Sequence, residues 1–190
     1  MCTRHKQRGI SLIELIMFIV IVSVALAGIL LVLNVTTKSS ADPLIHKQSL
    51  AIAESLLEEV ELMPFTWCDP NDVNAASAVS AASCSAGMDQ NKGGAALTTH
   101  TPASETRYST SDPFDNVADY GGFSMAAGLI MDITNTNIGL AGYKADIAVA
   151  RNGLTGLPAD AALLITVTVT GTDGVPVVLE GIRTRYSPNP

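Results

Sequence analysis

The stretch Arg8-Gly9-Ile10-Ser11-Leu12-Ile13-Glu14, with the apolar residues that follow it as far as Val35, decides how this chain is read. From Ile10 to Val35 the polar residues are Ser11, Glu14, Ser23 and Asn34. As a helix such a run is long enough to cross the roughly 30 Å hydrocarbon core of a bilayer. A secretory signal peptide would have a shorter apolar region followed by small residues at a cleavage site. Here the basic stretch instead ends in Gly9, directly before the apolar run. Glu14 stands out because a carboxylate at the centre of a membrane helix costs about 2.5 to 3.5 kcal/mol and is usually functional. Its place near one end lowers that cost, since the side chain can reach toward the interface.

Charge is split across the same point. Arg4, Lys6 and Arg8 precede the apolar run, and no acidic residue lies among the first nine. Of the 11 Lys+Arg three are therefore in this leader, while all 18 Asp+Glu follow it; the chain from Ile10 onward is strongly acidic. Such a surface leaves no basic stripe for phosphates, so nucleic acid is not an expected partner. Basic residues before an apolar span predict a cytoplasmic N-terminus and an exported remainder. At 190 residues the chain has room for one globular domain beside the anchoring segment.

The order Gly9, hydrophobic Ile10 and, fifth after the cut, Glu14 resembles the class III signal of type IV prepilins and of type II secretion pseudopilins. The resemblance implies cleavage by a prepilin peptidase between Gly9 and Ile10, with the apolar segment kept in the mature protein. It implies N-methylation of the new first residue, usually phenylalanine in the family and here Ile10. It also implies that the new amine of Ile10 pairs with Glu14 of a neighbouring subunit, drawing subunits from the inner membrane into a filament. A plain signal-anchor helix with a glutamate near the interface is the simpler alternative.

Downstream, Leu44, Ile45, Leu50, Ile52, Ala53, Leu56, Leu57, Val60 and Met63 recur at helical spacing, with Glu54, Glu58, Glu59 and Glu61 between them and Pro64 at the end. Asp42-Pro43 suits the start of this amphipathic helix, or a kink inside one long helix. Residues 69–122 are loop-dominated: an Ala/Ser run, then a Gly/Thr/Pro-rich stretch without periodicity. Strand candidates follow at Phe123–Met125, Leu129–Ile133 and Tyr143–Ala150. A hairpin is expected from Ala161–Thr170, turning at Thr172-Asp173-Gly174 and returning over Val175–Tyr186. Pro176 places that return strand at an edge or makes it start there. The fold class is therefore α+β: a long N-terminal membrane and spine helix packed on a C-terminal antiparallel sheet, the order of type IV pilins. The expected divisions are a leader at 1–9, a transmembrane or filament-core helix at 10–36, its amphipathic continuation at 37–64 and a periplasmic or extracellular head at 65–190.

Short motifs narrow the resemblance. Ser40-Ala41-Asp42-Pro43, Ala51-Ile52-Ala53-Glu54, Leu57-Glu58-Glu59, Pro64-Phe65, Asp115 to Tyr120 and Leu140-Ala141-Gly142-Tyr143 resemble the MshD-like minor pilins of mannose-sensitive haemagglutinin (MSHA) pili. This implies a minor subunit at the tip or in assembly priming, with other pilin subunits as partners. A minor pseudopilin of a type II secretion system, and a single-pass anchored adhesin that never polymerises, are the alternatives.

Cys68 and Cys84 form an even pair in an exported domain, where a disulfide between them would contribute on the order of 3 kcal/mol; two independent thiols are the alternative. The chain shows no enzyme motif and implies no cofactor: His5, His46 and His100 lack partners at metal-ligand spacing, and no nucleophile elbow or phosphate loop is present. Two acidic groups are candidate calcium ligands, Asp69 with Asn71 and Asp72, and Asp112 with Asp115, Asn116 and Asp119. Turn formation and capping are the commoner uses of such residues.

Overall fold

The computed structural model describes residues 11–153 and 156–185, with backbone alone for 35–42. Helical backbone (α1) runs from Leu12 to Leu62, with Pro43 inside it rather than at a helix start. The chain divides into two compact units, Met1–Leu44 and Ile45–Pro190. That boundary follows Pro43, whose missing N–H removes one helical hydrogen bond and whose ring crowds the preceding turn.

In the first unit, Leu12–Asn34 forms a span of mean hydropathy 3.2 with none of it buried. Its large apolar side chains are exposed on every side of the helix, from Leu12 and Ile13 to Leu31 and Leu33. A helix apolar all round has no single face to lay on a core and suits a lipid or multi-helix environment. Ser23 turns its hydroxyl back to the Ile19 carbonyl at 2.7 Å, so this polar side chain adds no unpaired donor to the span.

The second unit is built on the amphipathic part of α1. Ile52, Ala53, Leu56 and Val60 are buried on one side, with Ile45, Leu50, Leu57 and Met63 packed at the margin; Leu44 is exposed. They lie against a four-stranded antiparallel sheet of Ser124–Met125 (β1), Lys144–Arg151 (β2), Ala162–Thr170 (β3) and Pro176–Thr184 (β4), in sequential order. The architecture is α+β. Period-two patterning decides which face of the sheet meets the helix: Leu163, Ile165, Val167 and Val169 of β3 are all buried, while Leu164, Thr166, Thr168 and Thr170 are half-exposed. β4 is an edge strand and begins at Pro176, so the missing donor of that proline falls at the strand start. The β3–β4 turn closes with the Gly174 N–H donating to Gly171 O at 3.1 Å and Val175 N–H donating to the Asp173 carboxylate at 3.1 Å. Two glycines let the helix approach the sheet. A Cβ on Gly171 would lie 2.5 Å from Ile45 Cγ2, and one on Gly181 would lie 3.0 Å from Leu57 Cδ1 and closer still to the Glu61 carboxylate.

Leu129–Ile133 is not a strand. Only an isolated bridge, Met131 to Asn137, forms there. Asp132 prevents more: its Oδ1 accepts the backbone N–H of Thr134 and Thr136, curling the chain into a tight loop tip. Residues 69–122 hold turns and three short 3-10 segments, among them Val117–Tyr120.

Candidate functional site

Two regions carry the sequence-singled residues. The first is the start of α1. Gly9 and Ile10 lie outside the described residues. Glu14 sits in the first helical turn, where the Leu15 N–H already donates to Ser11 O at 3.1 Å. A carboxylate in a first turn gains about 0.3–1 kcal/mol from the helix dipole. That gain is small beside the cost of holding a charge within a span of this hydropathy, so dipole compensation does not account for Glu14.

The second region is the loop layer between the end of α1 and β1. Cys68 and Cys84 are joined by a disulfide, with an S–S distance of 2.11 Å and a Cα–Cα distance of 5.2 Å. Beside it, Asp72 accepts the Ser85 N–H at 2.7 Å, the Ser85 hydroxyl at 2.7 Å and the Asn74 N–H at 3.0 Å. These donors, the Asn74 amide foremost, hold its carboxyl below the usual range. Asp72 thus fastens the disulfide loop and stands apart from Asp69. Asp112 accepts the Ser104 hydroxyl at 2.6 Å in an outer turn. Asn116 caps the 3-10 segment Val117–Tyr120, accepting from Ala118 N–H at 3.1 Å and donating to Thr66 Oγ1 at 2.8 Å.

The remaining members of the two sequence groups converge. Asp69 from one and Asp115 and Asp119 from the other meet Glu105, and one carboxylate oxygen from each of the four lies within 4.8 Å of the others. Each has an identifiable anchor. Asp69 accepts the Asn71 N–H at 2.7 Å and the Gln90 side-chain amide at 3.2 Å. Asp119 accepts Thr101 N–H and Asn116 N–H, both at 3.0 Å. Asp115 Oδ2 accepts the Asn71 side-chain amide at 3.2 Å. Glu105 is fully buried; no donor among the described residues reaches either of its oxygens, and its carboxyl lies within hydrogen-bonding reach of the Asp69 carboxylate. Burial, then the neighbouring Asp119 charge, pushes the Glu105 carboxyl up to about 10; burial and Asp69 push Asp115 up to about 7. Lys92 approaches Asp119 Oδ1 at 4.0 Å and also donates to the Thr101 hydroxyl, its own ammonium disfavoured by burial.

Two features of this layer have little sequence signal. Glu105 sits in an aperiodic loop, where nothing marks it as buried. Glu59 falls among the acidic residues between the apolar helical positions, yet it takes a bidentate pair from Arg107, at 2.7 Å to Nε and 2.6 Å to Nη2. Tyr120 adds its hydroxyl to Glu59 at 2.8 Å, and Arg107 also donates to the carbonyls of Met131 and Asp132.

Comparison with known proteins places one signature on the chain. The family model for the prokaryotic N-terminal methylation motif matches residues 4–30. No curated protein and no solved structure matches the chain. Together with the apolar helix, the motif supports a type IV pilin-like N-terminus, a signal of the kind that a prepilin peptidase processes.

Proposed function

We propose that the chain is a minor pilin subunit of an MSHA-like type IV pilus, serving at the tip or in assembly priming. Residues 1–9 are its leader, 10–36 the transmembrane and later filament-core helix, 37–64 the continuation of the spine, and 65–190 the displayed head. Before assembly it crosses the inner membrane once, with the N-terminus cytoplasmic and the head periplasmic; afterwards it lies in the pilus at the cell surface. Prepilin peptidase cuts after Gly9, and the amine so created on Ile10, with or without a methyl group, answers Glu14 of a neighbouring subunit.

The observation that carries this reading is the coincidence of the methylation motif with a helix that is apolar on all sides and holds one acid in its first turn. A buried charge is tolerated only with a partner, and the cleavage supplies one. The head offers the filament surface an acidic, disulfide-fastened loop layer on a sheet, an arrangement suited to display. The minor pseudopilin of a type II secretion system shares the carrying observation and differs in the machinery it joins.

Intact mass spectrometry of the chain produced with its processing peptidase tests the first step. The expected mass is that of Ile10–Pro190, with one methyl group or none. An uncut chain, or a cut at any other bond, would overturn the prepilin reading.

A further inference from the structure

The loop layer gathers acidic side chains whose buried oxygens the protein's own donors satisfy only in part. Asp69, Glu105, Asp115 and Asp119 bring four carboxylates to one point, three of them buried and Asp115 half-buried. Lys92 approaches Asp119 at 4.0 Å, and among the described residues it is the one ion-pair partner of the four. Hydrogen bonds account for the anchored side of the group, since Asp69 and Asp119 accept backbone and amide donors. They leave the other side open. Glu105 Oε1 and Oε2 and Asp115 Oδ1 are buried and receive no donor from the described residues; the neighbour within hydrogen-bonding reach of the Glu105 carboxyl is the Asp69 carboxylate. Gln90 is 2% exposed and Glu105 0% exposed. Buried acceptors left unmade cost about 1–3 kcal/mol each, more when charged, so the open oxygens of Glu105 and Asp115 in one cluster call for something that they bind.

The open groups are carboxylate oxygens, the donors that a hard divalent cation takes. One oxygen from each of the four lies close enough to the others for a single ion to reach all of them, and a calcium ion takes six to eight oxygens at about 2.3–2.6 Å. Magnesium keeps several waters and takes one or two carboxylates in a tighter octahedron, which suits four converging acids less well. We propose that Asp69, Glu105, Asp115 and Asp119 bind one calcium ion, with Gln90 steering Asp69 from behind. The ion would tie together the segments that carry the disulfide, the cis Thr101-Pro102 turn and the capped Val117–Tyr120 segment. The proposal is independent of whether the chain enters a filament. The competing resolution is a proton on Glu105 in place of a cation.

Calcium titration of the full chain in detergent, followed by thermal unfolding and by equilibrium dialysis against calcium chloride, separates the two. One calcium per chain is expected, with an unfolding midpoint raised by about 5–10 °C at roughly a hundred times the dissociation constant relative to chelator. Glu105→Gln and Asp115→Asn should each weaken calcium at least about tenfold. In chelator, Glu105→Gln should unfold no lower than the parent, because it keeps the shape and replaces a carboxyl that burial already holds neutral; this shows that its loss of calcium is not a loss of fold. The absence of a calcium shift, a shift of equal size with magnesium, or a full shift retained in Glu105→Gln would overturn the site.

Discussion

Glu14→Val is expected to leave the chain inserted in the membrane and to remove it from filaments. The two outcomes separate because the substitution acts oppositely on them. Within the bilayer it deletes a carboxylate from a span of mean hydropathy 3.2, which makes insertion easier by up to about 2.5–3.5 kcal/mol. In a filament it would remove the partner that we propose for the Ile10 amine of the neighbouring subunit. Losing one member of a buried pair costs roughly 3–5 kcal/mol, because the other charge stays buried and unanswered; at 1.4 kcal/mol per tenfold that is a hundredfold or more per subunit contact. Immunoblots of the membrane and sheared-surface fractions check this. Parent-like amounts of Glu14→Val in the surface fraction would show that charge pairing does not drive assembly.

Arg107→Met is the second large expected effect, and it concerns the head alone. The Arg107 side chain is 3% exposed and that of Glu59 17% exposed. The bidentate pair fastens the loop at 107 to the helix 48 residues earlier, while Tyr120 and two backbone carbonyls complete the group. Methionine keeps most of the volume but leaves the Glu59 carboxylate with only the Tyr120 hydroxyl. The expected loss is about 3–5 kcal/mol, a large part of the 5–15 kcal/mol typical of a folded domain. Adding Glu59→Gln should return a substantial share, since it removes the stranded charge. Denaturant unfolding of the parent, the single and the double variants measures this; a loss below about 1 kcal/mol for the single change would place the pair among solvent-screened surface pairs.

How much of this was legible beforehand depends on the range over which each feature is encoded. Period-two alternation in Leu163–Thr170 and the turn residues Asp173 and Gly174 are local signals, and β3 and β4 follow them. The helical spacing of Ile52, Ala53, Leu56 and Val60 is equally local. Leu129–Ile133 has the same apolar composition, but the Asp132 side chain takes the backbone donors of a loop tip, and composition alone does not reveal that. The loop layer is assembled over longer distances: Asp69 meets Gln90 across 21 residues and Asn71 meets Asp115 across 44. Sequence neighbourhood grouped Asp69 with Asp72 and Asp112 with Asp119, whereas the fold regroups Asp69 with Asp115 and Asp119 and adds Glu105. Glu59 has the same limitation, because an acid beside apolar helical positions reads as solvated until Arg107 arrives from the loop.

On the function proposed above, the anchoring helix is a holding form and the filament its destination. The most direct measurement is the N-terminal sequence, by mass spectrometry, of this chain in filaments sheared from the surface of cells that assemble it. Peptides beginning at Ile10 are expected in the sheared fraction. Recovery of the cut chain from membranes alone, with none in the filaments, would contradict that function.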